Sequence, residues 1–172
     1  MMRKLTMTAA LIAAGATILG GAAAALAEAA ADESPQALVE DYTYPGAAQV
    51  EADRGIKLIK GDGSIMLADC GADPNLPPAD VILVQTTAVG SPDKTNHCFK
   101  ATGASGFLSM EIGEVYFIRG EAGRTVGAKV ETQDATPVVE TERVDPGEWQ
   151  PIGVGQGRGD GTLLELRYPY VS

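Results

Sequence analysis

The chain predicts an all-β protein: an antiparallel β-sandwich, with a small β-barrel as the alternative, preceded by a short helix and a flexible N-terminal tail. Three observations lead there. From Ile56 onward the apolar residues recur with a period of two, the spacing of strands that bury one face. Gly, Pro, Asp and Asn clusters cut this region into short segments, and no second long helical pattern separates them as an α/β fold would require. Cys70 and Cys98 are the only thiols and follow an export-type leader, which points to one disulfide.

Met1 to Ala27 has the three parts of a signal peptide: a basic start at Arg3 and Lys4, an apolar stretch from Leu5 to Leu19, and small-residue cleavage motifs. We place the cut after Ala27, with Ala31 as the alternative. A membrane anchor is the competing reading, but a span calls for about 18 uninterrupted apolar residues, and Thr and Gly interrupt this stretch. There is no arginine pair for the twin-arginine route and no cysteine near the cut for a lipid anchor. The chain thus divides into a signal peptide (1–27), a tail with a short helix (28–54) and a sandwich domain (55–172), with no membrane contact expected of the mature form.

Removing Arg3 and Lys4 leaves 11 basic against 23 acidic residues, a mature charge of about −12. Nucleic acid needs clustered Lys and Arg to neutralise phosphates, so it is excluded as an expected partner; anionic membrane surfaces are disfavoured for the same reason.

Along the chain, Glu28 to Pro35 is small and acidic and reads as disordered. Pro45 is placed to start a helix over Gly46 to Arg54, which Gly55 can end in the left-handed conformation. Candidate strands then run 56–60, 64–69, 81–87, 97–102, 106–112, 115–119, 125–133, 136–143, 148–153 and 162–168. Leu108, Met110 and Ile112 share one face against Ser109 and Glu111, and Val126, Ala128 and Val130 alternate with Thr125, Lys129 and Glu131.

A Cys70–Cys98 bridge would close a loop of about 28 residues containing Asp73-Pro74-Asn75-Leu76-Pro77-Pro78, worth about 3.6 kcal/mol by the loop-entropy argument. The alternative, a reactive or metal-binding Cys98 beside His97, is poorly suited to an exported chain with two thiols. His97 is the only histidine. No Gly-x-Ser-x-Gly elbow accompanies it, and no Cys/His pairs stand at zinc spacing, so it reads as a strand-entrance histidine beside the bridge, and neither catalytic nor metal-ligating residues are expected. Paired carboxylates for glycosidic chemistry remain conceivable among the acidic residues, but nothing singles out two of them.

Gly61-Asp62-Gly63-Ser64 and Gly159-Asp160-Gly161-Thr162 each precede an apolar strand and read as turns, lacking the oxygen ladder of a calcium loop. Gly153-Val154-Gly155-Gln156-Gly157 does not join a strand to a helix before Lys-Ser or Lys-Thr, so it reads as a glycine loop and not a phosphate cradle. Arg158-Gly159-Asp160 is discounted as an adhesion signal. Trp149 is expected in the core, with a sugar platform as its alternative role. Tyr42, Tyr44 and Pro45 of the tail are the candidate partner-binding residues, because tyrosine offers a large area with few torsions to fix.

Tyr42-Thr43-Tyr44-Pro45-Gly46-Ala47-Ala48, Arg54-Gly55-Ile56-Lys57-Leu58-Ile59-Lys60-Gly61-Asp62-Gly63, Ala68-Asp69-Cys70 and Glu114-Val115-Tyr116-Phe117-Ile118-Arg119-Gly120 make the mature chain resemble small exported single-disulfide proteins of streptomycete-type actinobacteria. It is also similar to the adaptor subunits of umbrella toxin particles. That resemblance implies bridging between a lectin-bearing subunit and a toxin polypeptide, and transfers no binding residue. The expectation is a secreted, non-catalytic protein-binding module with no cofactor. The alternatives are a glycan-binding domain, a protease inhibitor presenting residues 88 to 96, and a hydrolase with a dispersed carboxylate site.

Overall fold

The computed structural model describes residues 42–73, 76–87 and 94–171. The leader with both cleavage motifs, the tail before Tyr42 and residues 88–93 of the candidate inhibitory loop lie outside the described residues.

One helix, α1 (Ala47–Arg54), precedes the strands β1 (Lys57–Gly61), β2 (Ile65–Ala68), β3 (Ile82–Thr87), β4 (Lys94–Ala101), β5 (Gly106–Arg119), β6 (Val126–Thr132), β7 (Val138–Val144), β8 (Trp149–Pro151) and β9 (Gly161–Tyr168). The helix ends as its sequence predicts: Gly55 takes φ 66° and returns its amide to Glu51, a left-handed stop that glycine adopts without steric cost. Its start differs. Pro45 stands in the turn before Gly46, which is itself left-handed at φ 71°, so the proline precedes the helix without entering it.

The strand order is β2-β4-β3-β5-β9-β6-β7, all pairs antiparallel, with β1 and β8 added along β5. The sheet has ends at β2 and β7 and does not close, which makes the fold sandwich-like and sets the barrel aside. β5 belongs to both layers. Its first half pairs with β1 and β9, and its last residues pair with β3 and β8. Two predicted strands, 106–112 and 115–119, are therefore one continuous strand. The change of partner occurs around Gly113-Glu114: the β9 ladder slips register between Ile112 and Val115, the β3 ladder between Val115 and Phe117, and Glu114 takes φ 55°. A bulge of this kind bends a strand so that it can pass from one sheet to the next.

The inward residues of both layers merge in one core. Ile82, Val84 and Phe99 come from one side, Leu108, Met110, Val126, Ala128 and Leu166 from the other, and all are buried. Tyr168 is buried with them and donates from its hydroxyl to the Thr102 and Ser64 carbonyls. A smaller cluster of Val81, Leu83 and Cys98 sits on the outer side of β3 and β4, beneath the Cys70–Cys98 disulfide. Among the described residues no helix is long and apolar enough to cross a membrane.

Candidate functional site

Side chains alternate across a strand, so the residues between the core positions of β3, β4 and β5 must face outward. Register aligns them into rows. Cys98, Leu83, Arg119 and Trp149 lie opposite one another on β4, β3, β5 and β8, and Asn96, Gln85, Phe117 and Pro151 form the next row.

The rows carry a contiguous aromatic group. Phe117 meets Trp149 edge-on at 6.1 Å and 89°, and Tyr116 meets Phe117 at 5.3 Å. The Arg119 guanidinium lies 5.9 Å from the Trp149 ring, within cation–π range, and also donates to the carbonyls of Pro77 and Pro78. Beside the rings, the Gln85 amide donates to Asn96 at 3.0 Å and accepts from the Tyr116 hydroxyl at 3.4 Å. The disulfide and the Arg119 bonds hold the proline-rich loop at the margin of this face. Trp149 is 47% exposed, which corrects its expected core position: β8 is only three residues long and aligns the indole with Arg119 on the outside of the sheet.

The other layer has its own outward row of Phe107, Arg167, Gly127 and Arg143 across β5, β9, β6 and β7. Arg167 lies over Phe107 at 5.4 Å, and Arg143 over Tyr170 at 5.5 Å. Tyr42 joins this surface, its ring 6.2 Å from Phe107. Both arginines also pair with neighbouring carboxylates, Arg167 with Glu165 and Arg143 with Asp145. Those contacts hold the arginine pKa values up and the Asp145 pKa below the ordinary carboxylate range.

The three predicted partner-binding residues thus separate. Tyr42 is exposed, and Pro45 lies exposed in its turn. Tyr44 is not available to a partner: it is 6% exposed, its backbone bonds to Ile59, and its hydroxyl accepts the Leu67 amide. The bridge between Thr43 and Lys60 draws this segment onto β1, where Tyr44 enters the core while Tyr42 stays exposed against Phe107.

The remaining motifs have structural explanations. Asp62 accepts the amides of Ser64 and Phe107, the side-chain-to-backbone turn expected of aspartate between glycines. Gly155 lies in a short 3₁₀ turn where a Cβ would stand 2.3 Å from the Tyr116 carbonyl; close packing, not phosphate, requires the glycine. Gly159 is likewise pressed against Gln133, while Arg158 is engaged by Asp134 and Glu140, so the adhesion tripeptide has no free arginine. The Gly159 amide, then Arg158, hold Asp134 below its usual pKa. Among the described residues no three His, Cys, Asp or Glu side chains group as a metal would need.

His97 lies inside β4, paired with Val84. It is 3% exposed, with Nε2 3.4 Å from the Thr86 hydroxyl and Nδ1 without a hydrogen-bond partner. Burial, then the Arg54 charge, push its pKa down to about 4, so the ring is neutral at pH 7.

A scan against protein-family models and a search of curated proteins both return no match.

Sequence reasoning missed the Phe117, Arg119 and Trp149 group, which spans two adjacent rows. Its signal was partial: Tyr116 and Phe117 are adjacent aromatics, and Phe117 and Arg119 share a strand face, but their alignment with Trp149 is a long-range register.

Proposed function

We propose that the chain is an exported, non-catalytic protein-binding module that docks a partner on the outward face of β3, β5 and β8. The observation that carries this reading is the exposed Trp149 ring standing against Phe117 and Arg119. Tryptophan, tyrosine and arginine dominate binding energy at protein interfaces, because each covers a large area while keeping a polar or charged edge. The leader and the formed disulfide support export.

An adaptor needs two surfaces. The second arginine–aromatic row, Tyr42, Phe107, Arg167, Arg143 and Tyr170, lies on the outside of the other layer, which supports a bridging role between two extracellular proteins, such as a lectin-type subunit and a toxin polypeptide. The test is affinity capture from culture supernatant with the wild-type chain, Trp149→Ala and Tyr42→Ala. Bridging predicts that each variant loses a different protein. Joint loss of the same proteins, or retention of all of them by both variants, contradicts it.

A further inference from the structure

The surface of the sandwich is indented beside the end of α1. A pocket of about 290 Å³ lies there, between the end of α1, the paired ends of β3 and β4, and the bend of β5. Volumes near 300 Å³ are at the lower end for ligand sites and suit a small molecule. The walls carry Arg54, Thr86, Thr87, Thr95, His97 and Glu114, with Ile56 and Ile112 as apolar surfaces.

Three independent features concentrate here. First, His97 Nδ1 is the one buried side-chain polar atom without a hydrogen-bond partner among the described residues, and such groups ordinarily have one. Second, Glu114 is the only non-glycine residue at positive φ among those described; strain of this kind persists where the surrounding structure imposes it and gathers at ligand sites. Third, the charges are divided. Arg54 lies on the helix side and forms no ion pair among the described residues, while Glu114, on the strand side, has a hydroxyl partner there, Thr87 at 2.8 Å, and no cationic one. The two do not pair with each other.

We propose that this pocket binds a small zwitterion of the α-amino acid class. Its carboxylate faces Arg54 and the imidazole of His97, and its ammonium group faces Glu114. The threonine hydroxyls donate or accept as the ligand requires, and Ile56 and Ile112 contact its aliphatic part. A singly charged molecule would leave one wall uncompensated, and a neutral sugar would leave both. The site is separate from the two arginine–aromatic faces and does not depend on the docking role.

The test uses the purified exported chain and the ring signals of His97, which need no assignment because there is one histidine. Heteronuclear NMR follows those signals during addition of each standard L-α-amino acid, with acetate, methylamine and glucose as probes bearing one charge or none. At least one amino acid is expected to move the signals saturably where the three control probes do not. Its affinity should fall about tenfold or more in both Arg54→Ala and Glu114→Gln, as loss of one charge-assisted contact implies. The proposal is overturned if no amino acid moves the signals, if acetate, methylamine or glucose moves them equally, or if either variant binds like the wild type. The wild-type titration is decisive even if a variant folds poorly.

Discussion

The phenolic oxygen of Tyr44 accepts the backbone amide of Leu67 at 3.0 Å, so a side chain from the segment before α1 closes the free side of β2, one end of the sheet. An unpaired edge amide is a liability, both as an unsatisfied donor and as a template for another strand. Tyr44→Phe keeps the buried ring and removes the acceptor, so unfolding in urea should show a loss of about 1 kcal/mol. Tyr44→Ala also empties a core position and should lose about 3 to 5 kcal/mol. Equal stability of wild type and Tyr44→Phe would show that water replaces the bond at no cost.

Reducing the disulfide should be felt throughout the domain. Cys98 is fully buried in the cluster with Val81 and Leu83, and the bond closes a sequence separation of 28 residues. The double variant Cys70→Ala, Cys98→Ala is expected to lose about 3 to 4 kcal/mol in denaturant unfolding. Alkylation of the untreated protein followed by mass measurement should label neither cysteine; two labelled cysteines would contradict the bond.

Stability should decline in acid partly through one ring. His97 is held at about 4 in the folded chain, against about 6.5 when unfolded. Between those values the unfolded state binds more protons, so stability falls as pH drops from about 6.5 to 4 and levels off below, with a ceiling of about 3 kcal/mol. His97→Gln, which does not titrate, should flatten this window. A His97 pKa near 6.5 by NMR, or parallel profiles for the two proteins, would refute the assignment.

Much of the fold was legible because burial imposes period two. The alternation in Leu108-Met110-Ile112 and Val126-Ala128-Val130 places those residues in the core as expected. At Ile112 the phase breaks and resumes at Val115; the chain reads as two strands there, but the backbone runs on through the bulge at Gly113-Glu114, and only the partner ladders reveal it. Neighbours such as β9 between β5 and β6 are pairings of distant segments that no local pattern encodes. Tyr44 and Trp149 exchange their expected places for the same reason. Tyr44 is buried because its segment pairs with β1, and Trp149 is exposed because β8 aligns it with Arg119.

The strained residue at the β5 bend gives a local test. Glycine tolerates positive φ, so Glu114→Gly should raise stability by about 0.5 to 1 kcal/mol, less whatever the exposed Thr87 bond contributes. Glu114→Ala keeps the strain and loses the bond, so its denaturation midpoint should lie below that of Glu114→Gly. The reverse order would mean that the backbone at this bend stores no strain that glycine relieves.

The docking face is tested most directly by measuring the affinity of the captured protein partner for wild type and for Trp149→Ala. The indole is half exposed, so its truncation should leave the thermal unfolding curve nearly unchanged while weakening binding by about 2 kcal/mol or more, roughly 30-fold in Kd. Undiminished affinity in a correctly folded Trp149→Ala protein would contradict the assignment of this face to partner binding.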